Sequence, residues 1–342
     1  MSTLITRRGL GQLLLATTAV AGFVGAASAQ AKTRVAFVVH GQLGDKSFLD
    51  SAAAGLNRAA ESMPIEATVI EPGNDRARWE PALADACDQG YDIIVVGTWE
   101  MTGFVVALAP EFPDTKFIIF DDAPDFAANN LPNVIAITYR TSTAAFLAGY
   151  AAAKVSQTGK IGEIFGVEGA TILEFAVGFE QGARLANPDV ELIRAVAGSF
   201  TDPAKGKELA LTQFAQGADI VFPIAGGTGI GALQAARDEG KLAVGVDSDQ
   251  ALIFEATDEA QAKAIFTSVE KKVGDSIYLV LEQTLAGTAP YGSIVVLGLQ
   301  EGAVGISKNA YYEASVPAEV RAEVDALEAQ IIAGEITVET MM

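Results

Sequence analysis

Gly227-x-Gly229-x-x-Ala232 directly follows the apolar run Ile220-Val221-Phe222-Pro223-Ile224 and opens an alanine-rich helical pattern. That spacing formally matches a dinucleotide-binding turn, and Asp247 stands about where the ribose-binding acid of such a unit belongs. Taken alone, the segment describes an NAD-dependent oxidoreductase. The other residues suited to chemistry are of a different kind. They are aromatic, acidic or cationic side chains at the ends of apolar runs: His40, Ser47 and Phe48, then Trp99, Asp121, Phe200 and Lys271. No catalytic constellation emerges from them. The chain has one His and one Cys, too few for a His/Cys zinc site, and no metal is expected. Cys87 lies in a helical pattern, is expected to face the core, and has no neighbouring base to activate it.

The elements that must position these residues follow one rhythm. Thr33–His40, Ile65–Glu71, Asp92–Gly97, Thr115–Asp121 and Val134–Tyr139 read as short, β-branched strands, separated mostly by alanine-rich helical patterns such as Phe48–Ser62 and Asp75–Gln89. The second half repeats the scheme with Lys160–Gly166, Val190–Gly198, Ile220–Ala225, Leu242–Val246 and Ile265–Ser268, interleaved with Thr171–Ala186 and Pro203–Gln216. Near-continuous apolar strands alternating with helices imply parallel sheets covered on both faces, hence an α/β chain of two doubly wound, Rossmann-like lobes. A late helix over Val269–Ala286, the apolar Ser293–Leu297 and an acidic amphipathic helix over Pro317–Ala333 follow, so the chain is expected to cross between lobes more than once. Residues 32–140 plus 269–292 are assigned to one lobe and 141–268 plus 293–342 to the other. Such a hinge permits closure on a ligand.

In open α/β sheets ligands sit beyond the carboxyl ends of the strands. Strand one runs into His40-Gly-Gln-Leu-Gly-Asp-Lys-Ser47-Phe48, whose glycines let backbone approach a ligand. Ser47 suits an N-cap, with Asp50 completing an approximate capping box, as well as a ligand contact. Phe48 could stack on a ring or be buried, and Trp99 could be core or pocket lining. Asp121 could accept from base N–H or sugar hydroxyl groups, or cap a turn. Phe200 stands at a strand mouth where it could oppose Phe48, whereas Asp202-Pro203 reads as an N-cap and N1 pair. Lys271, read as the start of a helix, opposes the macrodipole there and so needs a partner, either a ligand oxygen or an acid such as Asp247.

Composition narrows the partners. The 342 residues carry a net charge of −20 and are 50% hydrophobic, enough for about two domains with a large core. An acidic surface repels nucleic acid and anionic lipid. The N-terminus carries Arg7-Arg8, an uncharged apolar stretch and Ala27-Ser28-Ala29, the layout of a cleaved, Tat-like export signal over residues 1–29. It has no cysteine for lipid attachment. The mature chain is expected to be periplasmic, free of the membrane, and without a cofactor.

Several motifs occur in one order along the mature chain. They are Asp45-Lys46-Ser47-Phe48, Phe117-Ile-Ile-Phe-Asp121, Ala145-Phe-Leu-Ala-Gly149, Gly178-Phe179, Gly198-Ser-Phe200-x-Asp202-Pro203, Gly217-Ala-Asp219, Ala225-Gly-Gly-Thr-Gly229, Gly245-Val-Asp247-Ser-Asp249-Gln250 and Thr267-Ser268-x-x-Lys271. Together they resemble the basic membrane protein family of ABC-transporter substrate-binding proteins, of the purine nucleoside receptor type. The resemblance implies a type I periplasmic-binding fold, a monomer that delivers its ligand to an ABC permease, and a purine nucleoside or nucleobase held between the lobes. Phe48 and Phe200 would sandwich the base, and Asp121, Asp247 and Lys271 would hydrogen-bond base and ribose. His40, Ser47, Trp99 and Gly227 would complete the lining. The sequence departs from the family pattern at Leu49, where Asn is usual, at His40, where Asp is frequent, and at Trp99-Glu100. Those changes admit another ring compound, and a ligand-sensing role beside a membrane partner is the alternative to transport.

Overall fold

The computed structural model describes residues 32–341. The export signal assigned to residues 1–29 lies outside the described residues. Chain order is β1 (Thr33–Val38), α1 (Phe48–Ser62), β2 (Ile65–Ile70), a 3-10 turn (Arg76–Arg78), α2 (Trp79–Asp88), β3 (Ile93–Gly97), α3 (Thr98–Leu108), β4 (Lys116–Phe120) and β5 (Val134–Tyr139). The second half runs α4 (Thr141–Val155), β6 (Lys160–Phe165), α5 (Ala170–Ala186), β7 (Glu191–Val196), α6 (Pro203–Ala215), β8 (Ile220–Ile224), α7 (Gly226–Asp238) and β9 (Leu242–Asp247). The chain ends with α8 (Gln250–Glu255), α9 (Glu259–Ala264), β10 (Ile265–Lys271), α10 (Val273–Leu285), β11 (Ser293–Leu297), β12 (Val304–Ile306), α11 (Ala310–Ser315) and α12 (Ala318–Ile332).

The strands form two six-stranded sheets, ordered β2-β1-β3-β4-β5-β11 and β7-β6-β8-β9-β10-β12. All pairings are parallel except β10 with β12. Central strands such as β3 and β8 are buried along their whole length, because each is covered by helices on both faces. The result is the type I periplasmic-binding architecture, two doubly wound lobes. Cys87 is buried in the first lobe, and burial pushes its thiol up to about 11, so it serves as a small core residue.

Helix pairs close over the sheets through small residues. A Cβ on Gly55 of α1 would stand 2.2 Å from the Gly274 carbonyl oxygen of α10, so these two helices meet backbone to backbone. That contact fixes α10 on the first lobe. The chain passes between sheets three times: from β5 into α4, from β10 into α10, and from β11 to β12. Backbone bonds tie the crossings together, with Arg140 N donating to Leu297 O at 2.8 Å and Lys272 N to Ala303 O at 2.8 Å.

Two expectations need correction. Ser293–Leu297 was assigned to the second lobe, but β11 pairs in register with β5, Ser293 opposite Ile135 through Leu297 opposite Tyr139, as an edge strand of the first sheet. The last crossing follows it. Lys271 does not begin a helix either. It ends β10, with Glu270 paired to Asp247 of β9, and α10 starts only at Val273. The apolar pattern of Ile265–Ser268 continues through Val269, which is fully buried, so the strand runs on.

Candidate functional site

The carboxyl ends of the two sheets face each other across a cavity of about 510 Å³. His40, Phe48, Trp99 and Asp121 line it from the first lobe, and Phe200, Gly227, Asp247 and Lys271 from the second. Of the candidate ligand-binding residues His40, Ser47, Phe48, Trp99, Asp121, Phe200, Gly227, Asp247 and Lys271, Ser47 alone is not in the lining. Its hydroxyl is buried behind Asp247 without a well-formed hydrogen bond, and its polarity favours that carboxylate. Nor does Ser47 cap α1. The Asp45 carboxylate does so, accepting from the backbone N–H of Ser47, Leu49 and Asp50 at 2.9–3.1 Å. Asp50 instead accepts from Gly44 and Lys46 N–H, fixing the preceding loop. Burial pushes the Asp45 pKa up to about 6 despite those donors.

The polar end of the cavity is an ion triad. Lys271 Nζ lies 2.8 Å from Asp121 Oδ2 and 3.5 Å from Asp247 Oδ1, with all three side chains buried. The Lys271–Asp121 bond joins the second lobe to the first. The partner that the sequence demanded for Lys271 is therefore present, but the demand comes from burial of a cation at a strand end rather than from a helix dipole. Burial would lower the Lys271 pKa, and the two carboxylates reverse this and raise it. Burial also raises both acids, Asp247 to about 6, because one ammonium cannot fully compensate two carboxylates. Asp247 Oδ1 has no hydrogen-bond donor, so acceptor capacity is left in the site.

Backbone strain accumulates here. Among the described residues the non-glycine positions with positive φ are Lys46 (52°), Thr98 (68°), Asp121 (66°) and Asp247 (62°), and the last three line the cavity. A left-handed non-glycine residue costs roughly 1–3 kcal/mol, and such strain concentrates at ligand sites. At Asp121, just after β4, and at Asp247, the last residue of β9, it turns the chain at the strand end where the carboxylate lines the cleft.

The aromatic walls are set by absent side chains. Phe48 packs on Phe120, centroids 5.3 Å apart, and Phe120 lies over Gly97, where a Cβ would fall 2.3 Å from the ring. Phe200 lies directly over Gly166, where a Cβ would fall 2.2 Å from its ring. Lys271 Nζ sits 4.7 Å from the Phe48 centroid and 5.0 Å from that of Phe175. Trp99 is a rim residue, 46% exposed, and not core. Asp202 caps α6 as expected, accepting from Lys205 N at 3.0 Å.

The glycine turn at 226–229 is a strand-to-helix turn at the cavity, as its spacing implied. The left-handed glycine is Gly226 (φ 51°), one position earlier than the fingerprint suggests. Helix α7 has no side-chain cap, and its start is pinned by Thr228 N–H donating to Phe200 O at 3.0 Å. The only ammonium or guanidinium among the described lining residues is that of Lys271, and both neighbouring carboxylates claim it. A pyrophosphate therefore finds backbone N–H groups but no free cation. Among the described residues no His, Cys, Asp or Glu cluster is arranged to hold a metal ion.

Sequence reading missed several lining residues, Trp79, Phe175 and Asn74 among them. Trp79 is buried, with its indole N–H donating to Gly73 O at 2.7 Å. Phe175 lies within α5 and Asn74 in the loop after β2. Phe175 reads as an ordinary core position of an amphipathic helix, and only the approach of the lobes turns it toward a ligand.

The family model described as ABC transporter substrate-binding protein, PnrA-like, matches residues 32–340. Basic membrane protein A of Borreliella afzelii is 33% identical over 309 residues, 89% of this chain and 91% of that protein. An ABC transporter solute-binding protein from Aeropyrum pernix K1 superposes with a TM-score of 0.78 at 27% identity, covering 89% of this chain and 92% of the other. One from Conexibacter woesei DSM 14684, at 24% identity and a TM-score of 0.73, shares the fold. No helix among the described residues is long and apolar enough to cross a membrane. With a match across the whole described chain and a cleft built at the meeting of two α/β lobes, the chain belongs to the PnrA-like family of ABC-transporter substrate-binding proteins.

Proposed function

We propose that this protein is the periplasmic receptor of an ABC importer and that its ligand is a purine nucleoside or a related purine. The observation that carries this reading is the pairing, in one cavity, of rings from different lobes with a buried Asp121–Lys271–Asp247 triad. A purine offers two π-faces for Phe48 and Phe200, and stacking is worth roughly 1–3 kcal/mol per base. Ribose hydroxyls donate to the carboxylates, accept from the ammonium, and fill the capacity left at Asp247. Because the cavity is buried on closure, each polar group left unpaired is costly, and that cost supplies selectivity. Closure about the three crossings then presents a liganded form to the permease. Arg7-Arg8 and Ala27-Ser28-Ala29 support export through a cleaved signal.

Trp79 and Trp99 both border the cavity, so intrinsic fluorescence reports occupancy. Titration with adenosine, guanosine and inosine should change it saturably, and mass spectrometry of material released on denaturation should find a purine. Tight NAD binding with no response to nucleosides would overturn the reading.

A further inference from the structure

His40 lines the cavity just beyond the end of β1, yet the reading above gives it no work. Its ring is packed edge-on against Phe48, centroids 6.1 Å apart, and against Trp79 at 6.0 Å. Nδ1 is sealed from solvent and has no hydrogen-bond partner, and no protein group bonds the other nitrogen. Burial pushes its pKa down to about 4, so the imidazole is uncharged at neutral pH. A neutral imidazole carries one N–H and one bare nitrogen. A buried N–H without an acceptor is the rarer and costlier orphan. The proton is therefore better placed on Nε2, which unlike Nδ1 is not among the sealed atoms of this cavity-lining residue, leaving Nδ1 as the sealed acceptor. Phe48 touches both this group and the triad, with the His40 centroid 6.1 Å and Lys271 Nζ 4.7 Å from its ring centroid. A ring stacked on Phe48 with its hydroxylated substituent at the triad would turn its far edge toward His40.

We propose that His40 is the specificity-determining residue of the cleft, donating Nε2–H to an acceptor on the ligand's ring edge, and that the ligand is an uncharged heteroaromatic ring bearing a bare nitrogen or carbonyl oxygen there. This rests on the nucleoside reading. It also excludes phosphorylated ligands, since Lys271 is engaged and His40 is no cation.

The test is a cycle between protein and ligand. Affinities of adenosine and its 1-deaza, 3-deaza and 7-deaza analogues, each lacking one ring acceptor, are measured by calorimetry on the wild type, His40→Ala and His40→Asn. One analogue should bind the wild type about tenfold more weakly than adenosine. His40→Ala should remove that penalty, and His40→Asn, which keeps a donor, should restore part of it. Thermal melts of both variants verify that they fold. Adenosine binding with an unchanged set of analogue penalties in His40→Ala overturns this inference and leaves the nucleoside reading standing. Absence of binding by every nucleoside overturns both.

Discussion

Two of the helices that open onto the cleft, α1 and α7, have starts that are finished differently. The first turn of α1 is satisfied from within, since Asp45 takes three backbone N–H groups, and what this helix shows the ligand is a ring, Phe48. The first turn of α7 has no side-chain cap and lines the cavity with Gly226 and Gly227. The difference extends to the lobes. The first supplies four rings, His40, Phe48, Trp79 and Trp99, with the carboxylates of Asp45, Glu100 and Asp121, whereas the second supplies two rings, Phe175 and Phe200, with the ammonium of Lys271, the carboxylate of Asp247 and open backbone. An uncapped helix start attracts negative charge, but beside two buried carboxylates and with no free cation in the cavity it suits the polar groups of a neutral ligand better than an anion.

The largest effect is expected at the charge that the second lobe brings. Lys271→Met leaves Asp121 and Asp247 buried without their cation. It should cost about 3 kcal/mol or more in denaturant unfolding and weaken nucleoside binding over 100-fold. Retained affinity would remove the triad from the site. Next come the two rings proposed to stack on the base. Phe48→Ala and Phe200→Ala should each cost about tenfold in affinity by calorimetry. Gly166→Ala should mimic Phe200→Ala, because its Cβ would occupy the Phe200 ring position. Unchanged affinity in both phenylalanine variants would break the sandwich.

A pH series tests the carboxylate of the second lobe. The Asp247 pKa is about 6 in the folded chain against an ordinary value of 3.8. The stability this group contributes is therefore present below about pH 4 and lost as pH rises through 6. Ligand affinity should run the other way, falling about tenfold between pH 7 and pH 5 as the acceptor is protonated. A flat binding profile would show that ionised Asp247 is not required. The smallest effect separates the two helix starts. Asp45→Ala should destabilise by about 1–2 kcal/mol in a thermal melt, with a lesser effect on affinity.

Local pattern carried most of the fold. Val134–Tyr139, Ser293–Leu297 and Phe48–Ser62 run as read, and the other predicted strands differ by one to three residues at their ends, most at β10. Continuous β-branched runs and alanine-rich periodicity leave little competition for those segments. The errors arise where long-range pairing decides. Ser293–Leu297 was legible as a strand, but its partner, β5, lies far back in the chain, and nothing local names the sheet it joins. The cap of α1 went to Asp45 instead of Ser47 because the loop turns back at Gly44 (φ 109°) and aims the carboxylate at three N–H groups, a geometry invisible in residue types.

By itself the sequence determined two parallel α/β lobes, because apolar strands and amphipathic helices bury their faces in one way. It also determined which strand ends carry rings and charges, because those are properties of single residues. Tertiary structure alone decided that Lys271 stands between Asp121 and Asp247, that Phe175 and Trp79 reach the ligand cavity, and that Ser47 does not. Each of those outcomes depends on two lobes meeting across a cleft, where distances are set by packing between segments more than a hundred residues apart in the chain.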